Sequence, residues 1–143
     1  MSDFPAIKYH EEAPEVFQAI LNVETVLGQQ GLDKTLFHLI KLRASQINQC
    51  AYCVDMHLRE ARRDGETDVR LDRLVVWRHV EDFSAKEKAI LALVEDLTVL
   101  DHKAGYGAHR ENLRTYFSEK EISVILEVIA MINLWNRLQV AQH

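Results

Sequence analysis

The 129 residues that follow Pro14 contain no further proline, and the whole chain has only five glycines. Sandwiches and barrels reverse direction every few residues and draw on Gly and Pro to do so. A chain with so few breakers is read as all-α. At 143 residues it is long enough for one domain with a real core. With 48% hydrophobic and 27% charged residues it has an ordinary globular balance rather than a disordered one.

Apolar spacing and capping signals divide the chain into an irregular N-terminal arm over residues 1–13 and a single helical domain over 14–143. Pro14 suits a first helical turn, and Val16, Ile20, Val23 and Leu27 follow on one face. Gly28 and Gly31 end that helix. Asp33 is an N-cap for the next, which carries Leu36, Ile40 and Ile47. A third helix is expected from near Cys50 to Asp64, stopped by Gly65. A short fourth should run from Thr67 to about Trp77. Ser84-Ala85-Lys86-Glu87 is a capping box for a helix to Leu100, and Ser118-Glu119-Lys120-Glu121 is one for the last helix. Phe117 and Ile122 occupy the staple positions of that second box. Between these two helices a loop is expected over 102–108, then a helix over 109–117. The total is about seven helices and no sheet.

The net charge is −5, with no run of five like charges. A clustered basic face is what phosphate binding requires, so nucleic acid is not an expected partner. The N-terminus lacks a basic segment followed by an apolar one, and no window reaches ~18 uninterrupted apolar residues. The expectation is a soluble cytoplasmic protein without a membrane partner.

The chemistry concentrates in Cys50-Ala51-Tyr52-Cys53-Val54-Asp55-Met56-His57, a Cys-x2-Cys-x3-His pattern holding both cysteines of the chain. At ~100° per residue the three side chains fall within ~60° of one another on a helix. First-turn N–H groups and the positive dipole end favour a thiolate there. His57 stands one turn on as a proton acceptor, and a second sulfur at i, i+3 is close enough to close a disulfide. These are the needs of a nucleophilic, redox-active thiol. Other readings use the same residues. Two buried structural cysteines with a core histidine is the plainest. A zinc site would take Cys50, Cys53 and His57 with a fourth ligand such as His38, His102 or His109. Haem attachment wants a histidine where Val54 stands, and a thioredoxin motif wants a preceding strand where Leu39–Gln49 reads as helix.

The run Leu42-Arg43-Ala44-Ser45-Gln46-Ile47-Asn48-Gln49-Cys50-Ala51-Tyr52-Cys53-Val54-Asp55-Met56-His57 closely resembles the core motif of the alkylhydroperoxidase D-like branch of the carboxymuconolactone decarboxylase family. Ala61-Arg62-Arg63-Asp64-Gly65-Glu66 and Ile132-Asn133-Leu134-Trp135-Asn136-Arg137-Leu138 extend the likeness. The resemblance implies an all-helical, usually oligomeric protein that reduces hydroperoxides through a cysteine pair. It implies Cys53 as the peroxidatic cysteine, Cys50 as the resolving one and His57 as the relay histidine. The best-described members have a glutamate twelve positions before the first cysteine, where this chain has His38, and a histidine between the cysteines, where it has Tyr52. His38 is then the candidate second relay residue. The decarboxylase branch lacks the cysteine pair, so decarboxylation is not expected.

Together these readings predict a thiol-dependent hydroperoxide reductase or disulfide oxidoreductase. Its partners are a hydroperoxide and an external dithiol, and it needs no cofactor. The alternative is a redox-responsive sensor with little turnover. Trp77 and Trp135 read as core or interface aromatics, and Asn133 and Asn136 as helix–helix hydrogen bonding. His102 and His109 read as surface residues or pocket edge, while Arg43 and Gln46 lie where they could reach a substrate. The last helix is apolar on more than one face, with Met131, Leu134 and Leu138 off the stripe of Ile122, Ile125 and Ile129. Such a helix is normally buried all round, so a homo-oligomer is expected: a dimer, trimer or hexamer.

Overall fold

A computed structural model describes residues 4–142; the first three residues of the arm and His143 lie outside the described part. The order is α1 (Tyr9–Glu12), α2 (Pro14–Gly28), α3 (Lys34–Ile47), α4 (Ala51–Arg63), α5 (Asp68–Arg73), a 3-10 helix (Leu74–His79), α6 (Ala85–Val99), α7 (Tyr106–Arg114) and α8 (Glu119–Ala141). No strand occurs among the described residues. The all-α expectation holds.

Local signals set most of the helix ends. Pro14 opens α2. The Asp33 carboxylate accepts the Thr35 N–H at 2.8 Å to start α3. Ser84 and Ser118 both form complete capping boxes, with Glu87 and Glu121 answering from N3. Gly65, at φ +95°, turns the chain after α4, a left-handed conformation suited to glycine.

Three stretches differ from the sequence reading. The arm holds one helical turn, α1. The expected helix from Thr67 to Trp77 divides into α5 and the 3-10 segment, with Val76 at non-helical φ/ψ. Its buried residues, Leu71, Leu74 and Trp77, recur every third position, the period of a 3-10 helix rather than an α-helix. Finally, α7 begins three residues early, at Tyr106, and stops at Arg114. Gly107 lowers helix propensity by about 1 kcal/mol, but tertiary anchors outweigh it. The Tyr106 hydroxyl donates to the Asp96 carbonyl at 3.0 Å, and His109 Nε2 meets the Asp96 carboxylate at 2.6 Å.

Helix α3 is the central element. Leu36, Ile40 and Ala44 face a core shared with α6, α7 and α8, which includes Ile90, Leu93, Leu113, Ile125 and Ile129. Leu39 and Leu42 face a second cluster with Ala61, Leu71, Leu74, Trp77 and Phe83. Being buried on both sides, α3 is a rigid bar against which α4 lies. Helix α8 is long and apolar enough to cross a bilayer by length and composition, with mean hydropathy 1.3. Here its stripe of Ile122, Ile125, Ile129 and Ile132 is buried in the protein core.

The turn between α3 and α4 delivers the cysteine motif. Asn48 is the C-cap of α3, Gln49 is left-handed at φ +53°, and Cys50 is extended. Asn48 is tied to α8 by its side-chain amide, which donates to Asn133 Oδ1 and Asn136 Oδ1, both at 2.9 Å. Asn136, wholly buried, in turn donates to Ser45 Oγ at 3.0 Å. The two asparagines do make helix–helix hydrogen bonds, and those bonds also hold the turn before Cys50.

Candidate active site

Cys50 is the N-cap of α4 and Cys53 lies in its first turn. The Cys53 N–H donates to Cys50 Sγ at 3.4 Å. The two sulfurs are joined as a disulfide, with Cα atoms 5.3 Å apart. Among the described residues no three His, Cys, Asp or Glu side chains gather as a metal-holding group. Cys50, Cys53 and His57 are all buried, at 2%, 3% and 4% exposure. Cys53 and His57 nevertheless line a pocket of about 610 Å³, and Cys50 does not. Of the two cysteines, Cys53 is the one on the pocket wall.

The pocket lies between α4, α2, α8 and the N-terminal arm. One side is aromatic: Tyr9, Phe17, Tyr52 and Trp135. Phe17 stands edge-on to Trp135 with ring centres 6.0 Å apart, and Tyr9 tilts against Phe17 at 6.0 Å. Leu21, Met56 and Ile132 add apolar surface. The arm is pinned over the pocket by the Ile7 N–H donating to the Gln142 carbonyl at 3.1 Å and by the Tyr9 hydroxyl donating to Gln139 Oε1 at 3.1 Å.

The charged groups are paired. Lys41 Nζ meets Glu24 Oε2 at 3.0 Å, and Glu24 Oε1 accepts the Trp135 indole N–H at 2.9 Å. His57 Nδ1 lies 3.2 Å from Glu60 Oε2. A carboxylate can only accept, so Nδ1 carries the proton and Nε2 keeps its lone pair. Burial holds the His57 pKa below its ordinary 6.5 and the positive charge of Lys41 pushes the same way, while Glu60 and Glu24 partly oppose them. The imidazole is thus a neutral base near pH 7. In the oxidised protein the His57 NMR titration midpoint should lie below 6.5, and Glu60→Gln should lower it further by removing a negative neighbour. A midpoint at or above 6.5 would contradict this geometry. The sign for stability follows from linkage: below pH 6.5 the unfolded chain takes up a proton that folded His57 refuses, so this group makes the fold less stable as the pH falls.

Not every expected residue joins the pocket. His38 turns to the far end of α4, where its Nε2 meets the Asp64 carboxylate at 2.8 Å. It lines a separate cleft of about 310 Å³ with Lys34, Thr35 and Arg70. Helices α3 and α4 run antiparallel, so a residue early in α3 faces the end of α4, whereas Lys41, one turn later, faces His57. The hydrogen bond from His38 holds the Asp64 carboxyl below its usual range. Arg43 is likewise engaged elsewhere, with Glu95 and Gln46. Trp77 is a core residue whose indole N–H donates to Glu95 at 2.8 Å, and neither His102 nor His109 lines the pocket. Glu60 is not among the residues singled out from the sequence, although its i+3 spacing from His57 is a local signal for the contact. The pairing of Glu24 with Lys41, and the approach of Tyr9 and Phe17, span long sequence distances and leave no local signal.

Comparison with known proteins agrees with this architecture. The model of the carboxymuconolactone decarboxylase family matches residues 14–96. An uncharacterised protein of Bacillus subtilis strain 168, YdfG, is 35% identical over 135 residues, covering 94% of this chain and 92% of its own. A crystal structure of a protein of unknown function from Agrobacterium tumefaciens, for which an antioxidant-defence role as AhpD has been suggested, superposes with a TM-score of 0.91 at 38% identity, covering 97% of this chain and 95% of the other. An uncharacterised peroxidase-related protein from Silicibacter sp. TM1040 superposes at TM-score 0.79 and 26% identity, over 90% of this chain and 68% of the other. The chain belongs to the carboxymuconolactone decarboxylase family, in its alkylhydroperoxidase D-like branch.

Proposed function

We propose that the protein is a thiol-dependent hydroperoxide reductase. The observation that carries this reading is a Cys50–Cys53 disulfide whose Cys53 end, with His57, lines an open pocket. The names of the Agrobacterium and Silicibacter relatives point the same way. In the reduced enzyme His57 Nε2 takes the Cys53 thiol proton. The thiolate attacks the distal oxygen of the hydroperoxide. The O–O bond breaks, the alkoxide leaves as alcohol with the proton from His57, and Cys53 becomes a sulfenic acid. The Cys50 thiol then displaces that hydroxyl as water and closes the disulfide. An external dithiol supplies two electrons and two protons to reopen it. Glu60 holds the imidazole in the tautomer this requires. His38 has no part in the scheme.

The test is a peroxide titration of the reduced protein. One equivalent should remove two thiols, a dithiol should restore them, and excess of both should give continuous peroxide loss. Reversible loss of two thiols without turnover would make the pair a sensor instead, and retention of both thiols would refute redox function altogether.

Assembly belongs to the same proposal. Val16, Val23 and Val26 are exposed along α2, and Leu126, Leu134 and Leu138 of α8 are only half-buried. Homo-oligomers cover such surfaces with further copies. Light scattering at micromolar protein should give a multiple of the 16.6 kDa chain mass. A single-chain mass that persists on concentration would oppose it.

A further inference from the structure

We propose that the pocket over Cys53 selects a neutral hydroperoxide bearing an aromatic ring, with Phe17 and Trp135 setting the preference. The inference rests on the peroxidase reading above and names its substrate class.

Three observations carry it. The first is size. A pocket of about 610 Å³ is in the range that encloses an organic ligand of ring size and larger. Hydrogen peroxide would leave nearly all of it to water.

The second is the wall. Phe17 sits between Trp135 and Tyr9 at 6.0 Å from each, the Trp135 contact being edge-on at 80°. These rings are mutually braced, and Trp135 and Tyr9 are further fixed by hydrogen bonds to Glu24 and Gln139. A preorganised set of ring faces and edges rewards a guest ring through quadrupole complementarity. A saturated guest of the same shape gains only area.

The third is charge. Among the described residues Lys41 is the one lysine or arginine lining the pocket, and it is already paired with Glu24. Glu60 adds a second carboxylate, and His57 is held neutral by burial and Lys41. His10 is beside Glu11, 3.6 Å away. An anionic guest, such as a fatty-acid hydroperoxide, would find two carboxylates and a committed cation. A neutral arylalkyl hydroperoxide meets no such opposition. Its turnover balances with the residues present: one hydroperoxide and the two thiols of Cys50 and Cys53 give the aryl alcohol, one water and the disulfide.

The test uses the oxidised protein, in which the pair cannot react and binding is read without turnover. Three probes are titrated against the Trp135 indole NMR signal: 2-phenyl-2-propanol, its saturated counterpart 2-cyclohexyl-2-propanol, and octanoate. The aryl alcohol should bind saturably, shift that signal, and bind about fivefold more tightly than the cyclohexyl alcohol. That order runs against the greater hydrophobicity of the saturated ring. Phe17→Leu, which keeps an apolar side chain but removes the ring, should bring the ratio close to one. Octanoate should bind more weakly than either. No saturable binding, a cyclohexyl preference or tighter octanoate binding overturns the proposal. The peroxidase reading fails separately: if reduced protein consumes neither cumene hydroperoxide nor tert-butyl hydroperoxide with a dithiol while the aryl alcohol still binds selectively, the ring preference stands and the hydroperoxide is overturned.

Discussion

Cys53→Ser should abolish dithiol-dependent peroxide consumption, a loss of at least about a thousandfold, because a serine hydroxyl is scarcely ionised near neutral pH where a thiol is a competent nucleophile. Cys50→Ser should behave differently. Its Cys53 would still react once and then stop as a sulfenic acid, since the second sulfur that displaces the hydroxyl is gone. A quench-flow burst of one equivalent, with a sulfenic-acid adduct at Cys53 by mass spectrometry, is the expected signature. The asymmetry follows from placement: the two sulfurs are about equally buried, but Cys53 lines the pocket and Cys50 does not. A burst in Cys53→Ser, or steady turnover in it, would reverse the roles of the two sulfurs or remove the pair from the chemistry.

Asn136→Leu should be the most damaging polar-to-apolar change in the fold. Asn136 is fully buried, accepts from Asn48 and donates to Ser45, whose hydroxyl donates on to the Lys41 carbonyl at 2.7 Å. Leucine at this position strands part of the Asn48 amide and the Ser45 oxygen away from water. A buried polar group left unsatisfied costs about 1–3 kcal/mol, so a net loss of about 3 kcal/mol is expected, with a fall in Tm of roughly 6–12 °C for a domain of this size. Ser45→Ala added to Asn136→Leu should cost less than the sum of the two, because one orphan disappears. Thermal and denaturant unfolding check both. A loss below about 0.5 kcal/mol would mean that these bonds contribute no net stability.

What could be read from the chain divides by range. Capping boxes at Ser84 and Ser118, the Asp33 cap and the Cys50–His57 stripe are written within a few residues of one another, and all appear in the structure. Where the sequence misled, a distant contact decided the outcome. Two glycines near 105–107 suggest a loop, yet Asp96 captures Tyr106 and His109 and helix begins there. His38 takes the position of a relay carboxylate in the family motif, yet antiparallel packing of α3 on α4 gives it Asp64 as its partner. The aromatic wall is the extreme case. Tyr9, Phe17 and Trp135 are brought together by an arm and two helices far apart in sequence, and no periodicity of one segment announces a surface made by three.

The left-handed residue before Cys50 bears on how the sulfur pair is poised. Gln49 holds φ +53° without being glycine, a conformation that costs an L residue with a β-carbon roughly 1 kcal/mol. Glycine there would relieve that cost and give the backbone many other conformations. Glutamine, backed by the Asn133 and Asn136 amides that grip Asn48, keeps Cys50 in few positions once the bond to Cys53 is broken. The effective concentration of one sulfur beside the other then stays high. The turn favours quick reclosure after each oxidation over easy reduction, so the molecule should depend on a strongly reducing dithiol rather than on a weak monothiol.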